Sequence, residues 1–194
     1  MSYKLLVVGL LFLSPAVITR AQSNAPANNE AFWTTLQSLC GKAYAGTVAA
    51  APADDTTFKG KALVMHVRSC EKNRIRIPFV VGDDRSRTWV LIRKNGRIEL
   101  RHDHRHADGR PDAVTMYGGW TTSVGMPGRQ MFPADDQTVK VIAAAATNVW
   151  WIDLTGGDFF SYNLRRMGSE RYFSIKFDLK TPVAAPGAPW GWQD

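Results

Sequence analysis

Two alternating runs joined by Asn-Gly, RTWVLIRK-NG-RIELRHDH over residues 87–104, constrain this chain more than any other stretch. Asn and Gly both tolerate the positive φ of a two-residue type I′ turn, whose twist matches that of the flanking strands. The turn sets a register. Lys94 faces Arg97, Leu91 faces Leu100, Trp89 faces His102 and Arg87 faces His104. Side chains alternate along a strand, so Ile98, Leu100, His102, His104 and His106 share one face with Leu91 and Trp89. The other face carries Glu99, Arg101, Asp103 and Arg105, with Val90 and Ile92 alongside. The first face is the more apolar near the turn and is expected to point into a core or lumen.

Period two dominates the rest of the chain as well. AFWTTLQSLC (31–40) is the exception: Phe32, Trp33, Leu36 and Leu39 at 3–4 spacing predict a short helix, with Asn28 or Asn29 as cap and Gly41 as stop. KAYAGTVAA (42–50) and FKGKALVMHVRSC (58–70) read as strands. RIRIPFVV (74–81) alternates cleanly, although Pro78 argues for an edge or a bulge. DAVTMYGGWTT (112–122) reads as a strand broken by Gly118 and Gly119, and GMPGRQMFPADDQ as a loop. TVKVIAAAA fits strand or helix equally. NVWWIDLT, FFSYNLRR and RYFSIKFDL are strands joined by hairpin-like turns, with Trp150 and Trp151 on opposite faces, one of them core and the other available to cover a cavity mouth. The tail TPVAAPGAPWGWQD is Pro- and Ala-rich and is expected to wrap the body or hang free.

About eight to ten sequential antiparallel strands with one short N-terminal helix predict an all-β protein, an up-and-down β-barrel or a strongly curved meander. A two-sheet β-sandwich is the alternative. Seven Trp and nine Phe suit a closed core or a lumen lined by aromatic rings. The helix, the GKAYAGTV first strand and the meander ending in RYFSIKFDL resemble a calycin-type barrel, the group that includes lipocalins and fatty-acid-binding proteins. That resemblance covers most of the chain at the level of architecture, and it implies an interior ligand site. The blocks SLCGKAYAG and RHDHRHADG also resemble those of exported bacterial proteins, which implies export and assigns no residue a role.

Export is also the reading of the N-terminus. Lys4 followed by the apolar run Leu5 to Leu13, with Thr19 and Ala21 at −3 and −1, predicts a signal peptide over 1–21. The run is too short to span a bilayer, and no other stretch is apolar enough to do so. Residues 22–30 read as a flexible lead-in, 31–181 as a single barrel domain, and 182–194 as the tail. Location is then secreted or periplasmic, where the two cysteines, Cys40 and Cys70, are expected to pair. Their bridge closes a loop of roughly 30 residues and is worth about 3 kcal/mol by the chain-entropy argument. Loss of Lys4 and Arg20 with the signal takes two from the formal charge of +7, leaving about +5. Those charges are scattered among acids and form no basic block, which disfavours nucleic acid as a partner.

The histidine row is the main candidate for chemistry. His-x-His on a strand sets two imidazoles roughly 7 Å apart on one face, a spacing that can share a metal. His102, His104 and His106, with His66, Asp108 or Asp112 as a further ligand, would suit zinc or copper and not calcium. A polar strand end is the plainer reading, with Asp103 and Asp108 paired to Arg101, Arg105 or Arg110. Acid–base work or ligand contact by His102 is the third. Asp83 and Asp84 form a carboxylate pair on a turn, where solvation is their ordinary state. No nucleophile elbow, phosphate loop or dinucleotide fingerprint occurs. The leading functional reading is an exported barrel holding a small apolar or amphipathic ligand against Trp89, Leu91, Leu100 and His102. Metal binding through the histidine row, and surface interactions built on the PWGW tail, are the alternatives.

Overall fold

A computed structural model describes Met1 and residues 27–192. The expected signal peptide beyond Met1, residues 22–26 of the lead-in and residues 193–194 of the tail lie outside the described residues.

Helix α1 spans Asn28–Ser38, three residues earlier than its apolar pattern begins. Neither asparagine caps it. Ala27 occupies the cap position, and the Asn28 and Asn29 amides instead donate to the carbonyls of Gly125 and Gly96. Both bonds tie the helix to loops at one end of the sheet. Phe32, Trp33 and Leu36 are wholly buried beneath it. Glu30 pairs with Arg93, whose guanidinium also lies 5.2 Å from the Trp33 ring centroid. The Cys40–Cys70 disulfide forms as expected and pins the chain just after the helix.

Eleven antiparallel strands follow: β1 (Ala43–Ala50), β2 (Leu63–His66), β3 (Ser69–Glu71), β4 (Arg74–Val81), β5 (Asp84–Lys94), β6 (Arg97–His104), β7 (Tyr117–Trp120), β8 (Arg129–Pro133), β9 (Asn148–Asp153), β10 (Phe159–Arg166) and β11 (Tyr172–Val183). They form one sheet in the order β7-β6-β5-β4-β2-β1-β11-β10-β9-β8, with β3 paired to β4. The first strand pairs with the last, so the sheet curls into a nearly closed barrel rather than a sandwich. Every pairing of the β5–β6 hairpin is the one the Asn-Gly turn predicts, with Asn95 and Gly96 at φ 52° and 70°.

Several expectations change. The long run 58–70 is two short strands, because at Val67 the chain leaves β4 to exchange backbone bonds with Gly41 and Lys42. Pro78 is therefore neither at an edge nor on a bulge. It faces Thr88 on β5, and on its other side lies the gap between β2 and β3, where no ladder bond is lost. RQMFP, expected as loop, is β8, and TVKVIAAAA is helical, as α2 (Asp136–Val141) and a 3-10 turn (Ala143–Ala145). Asp135 caps α2 by accepting the Thr138 N–H. The tail, expected to wrap the body or hang free, pairs as a strand at its start, where Pro182 and Val183 lie opposite Tyr44 and Ala43. It then wraps the barrel, with Trp190 N–H donating to the Arg85 carbonyl.

The seam between β7 and β8 explains Gly118 and Gly119, which sit within β7 and do not break it. A Cβ on Gly119 would lie 1.8 Å from the Pro133 carbonyl oxygen, so only glycine lets the two edges approach. Gly118 N–H donates to the Thr138 hydroxyl, which donates back to the Gly118 carbonyl, both at 2.6 Å. Arg101, buried on the barrel's outer face, bridges Glu99 and Asp135 across the same seam.

Candidate functional site

The two ends of the barrel differ. Between α1 and mid-barrel the interior is filled by stacked rings: Trp89 lies parallel to Phe79 at 4.8 Å and to Tyr162 at 4.4 Å, with Phe160 and Phe177 around them. Leu91 and Leu100 belong to this packed part, fully buried. Above Trp89, at the end away from α1, packing stops and a cavity of about 280 Å³ opens. A side recess of about 60 Å³ reaches down to Trp89 and His102.

Strand ends supply the walls. The inward parity of β9, β10 and β11 presents Trp150, Tyr162, Leu164 and Phe173, and Tyr117 comes from the start of β7. Phe58 arrives from the β1–β2 loop and packs 5.6 Å from Phe173 and 5.7 Å from Phe79. The Asp55 carboxylate holds that loop by accepting the N–H groups of Thr57, Phe58 and Lys59. Arg87, Arg166 and Arg171 stand around the opening, and no Asp or Glu lines it among the described residues.

The floor of the recess is a closed hydrogen-bond chain. His102 Nδ1 lies 2.9 Å from the Tyr117 carbonyl, which can only accept, so Nδ1 carries the hydrogen. Nε2 then accepts from the Tyr162 hydroxyl at 2.7 Å. The His102 and Tyr117 rings stack at 4.5 Å, and the Tyr117 hydroxyl reaches His104 Nε2 at 3.1 Å. Burial drives the His102 pKa down to about 3, against the opposing bond to the Tyr117 carbonyl, and the charges on His104 and Arg101 push the same way. Burial also lowers His104, aided by Arg87, and raises the Tyr117 phenol to about 12 and the Tyr162 phenol well above its usual range. His102 and both phenols are therefore neutral at physiological pH. They orient one another through these bonds.

Of the residues predicted to contact a ligand, Trp89 and His102 line the recess, whereas Leu91 and Leu100 line neither space. The predicted metal set is not brought together. His102 has both nitrogens engaged, His66 is buried on β2, and His106 is exposed in the turn after β6. Among the described residues no group of three or more His, Cys, Asp or Glu is placed to hold a metal ion. Asp103 and Asp108 pair with Arg105 and Arg110, as the polar-rim reading expects, while Arg101 goes to the seam instead. Asp84 pairs with Arg87.

Sequence reasoning left out Phe58, Tyr117, Tyr162, Arg166 and Arg171. Strand parity marks Tyr162 as inward, but Phe58 lies in a loop, and the two arginines lie where β10 and β11 meet the mouth, which only closure of the sheet reveals. Comparison of the chain with protein-family models, curated proteins and solved structures finds no match.

Proposed function

We propose that the protein is an exported small-molecule-binding barrel, secreted or periplasmic, whose ligand is amphipathic and sits in the mouth opposite α1. One observation carries this reading: the interior is filled with side chains up to Trp89 and then gives way to a cavity walled by aromatic rings and rimmed by polar groups. That combination of a largely apolar wall with a few convergent polar groups is the ordinary make-up of a ligand site. The Cys40–Cys70 bridge suits an oxidising compartment, and no helix among the described residues is long and apolar enough to cross a membrane. Trp89 and His102 form the floor, with Trp150 and Tyr162 as walls.

Trp89 and Trp150 face the cavities, so occupancy changes the intrinsic fluorescence. Titration with small fused-ring compounds is expected to give saturable quenching and a rise in thermal stability, about 2.7 kcal/mol at a hundredfold excess over Kd. A panel of such compounds that produces neither saturation nor stabilisation would refute the reading. Export is checked separately: N-terminal sequencing of the chain recovered from a secreting host is expected to begin at Gln22.

A further inference from the structure

The charges around the mouth are one-sided. Arg87 is compensated by Asp84, its partner in an ion pair. Arg166 and Arg171 have no carboxylate within ion-pair distance among the described residues. Arg166 spends its Nε–H on the Asn148 side-chain oxygen at 3.0 Å, and the Arg171 guanidinium lies 4.9 Å from the Phe173 ring centroid. With no Asp or Glu in the lining, a cationic ligand would meet guanidinium groups and no counter-charge.

The inner end offers an anion nothing. Both His102 nitrogens are bonded within the protein, and burial keeps that ring uncharged. An acidic group must therefore point outward, toward the rim. The walls are aromatic, with Tyr117, Trp150, Tyr162 and Phe173 among the lining residues. The cavity's size matters too. About 280 Å³ is at or just below the smallest volume usual for a ligand cavity, which suits a body of one or two fused rings.

Resting on the binding reading above, we infer that the ligand is a small aromatic carboxylate, held ring-inward against Trp150 and Tyr162 with its acid group between Arg166 and Arg171. A guanidinium matches a carboxylate in charge and in planar geometry, and stacking among the wall rings orients the ligand body. The bond that Arg166 makes to Asn148 fixes the fork before the ligand arrives, so little ordering is left for the binding step.

Four probes separate the possibilities on the full mature chain: 2-naphthoate, 2-naphthamide, 2-naphthylmethylammonium and dodecanoate, titrated against tryptophan fluorescence and by calorimetry. The expected result is that naphthoate binds at least about tenfold tighter than the amide, that the amine does not bind, and that naphthoate affinity falls with added salt. Arg166→Gln and Arg171→Gln are each expected to lower naphthoate affinity by about tenfold, one charge-assisted bond's worth, and to lower the amide's affinity by clearly less. Both side chains stand at the rim, and unchanged melting temperatures will show that the variants fold. Equal binding of amide and acid, or full naphthoate affinity in both variants, would overturn the inference while leaving a binding barrel standing. Tighter binding of dodecanoate would overturn the flat-ring class in the same way. Failure of all four to bind saturably would overturn the inference together with the binding reading.

Discussion

Replacing His102 with glutamine removes a titrating ring while keeping a donor for the Tyr117 carbonyl and an acceptor for the Tyr162 hydroxyl. In the folded protein burial holds the His102 pKa at about 3, against an ordinary 6.5. The sign follows directly. Below pH 6.5 the unfolded chain takes up a proton that the native ring refuses, so native stability is full above that pH and drains away as pH falls toward 3. Each pH unit in that window costs about 1.4 kcal/mol, so the full loss is on the order of 5 kcal/mol, of which about 2 kcal/mol has gone by pH 5. Urea denaturation of wild type and His102→Gln at a series of pH values from 7.5 to 4 isolates the effect, because every other titrating group is common to both chains. Wild type is expected to lose about 2 kcal/mol more than the variant between pH 7 and pH 5. Parallel stability curves for the two chains would refute the argument and show that the ring charges without hindrance in the native state.

Three further outcomes are expected. Replacing Cys40 and Cys70 together with serine should lower stability by about 3–4 kcal/mol, because the bridge spans a sequence separation of 30, and should leave the ligand site intact; denaturation under non-reducing conditions measures it. Gly119→Ala drives a methyl group into the Pro133 carbonyl oxygen across the seam, and a loss on the order of 3 kcal/mol is expected in thermal melts, whereas Gly156→Ala, with open space around its Cβ position but a φ of 86°, should lose only the roughly 1–2 kcal/mol that a left-handed non-glycine residue costs. Phe58→Ala removes a half-buried ring from above the recess. It should cost at most about 2 kcal/mol of stability and speed ligand dissociation, read by stopped-flow fluorescence.

The local order of the fold was legible because it is written in short-range terms. Asn95-Gly96 admits one turn type, that turn admits one register, and the register sets Trp89 beside His102 and buries Ile98 and Leu100. The same logic placed an apolar helix ahead of a run of antiparallel strands and paired Cys40 with Cys70. Loss of the pattern marks where tertiary contacts took over. RQMFP escaped notice as a strand because Gln130 occupies a buried inward position and Met131 an exposed outward one, an inversion sustained by the bonds from Gln130 to the Val124 and Met126 carbonyls. TVKVIAAAA has no decisive period, and the Asp135 cap together with the Thr138 bonds to Gly118 made it helical.

The candidate site divides in the same way. Sequence by itself determined that His102 and His104 continue an inward row, since alternation needs nothing but a strand, whereas His106, expected in the same row, lies exposed past the strand end. It did not determine how deep that row runs. Leu91 and Leu100 share a face with His102, yet α1 fills their end of the barrel and leaves the other end open, a difference that exists only once the helix docks. Closure of β1 on β11 then carries Phe58 and Phe173, and Arg166 and Arg171, to the same opening as Arg87 and His104, residues far apart along the chain. Parity along a strand is a local property of the backbone, whereas the meeting of strand ends around a mouth depends on the curvature of the whole sheet.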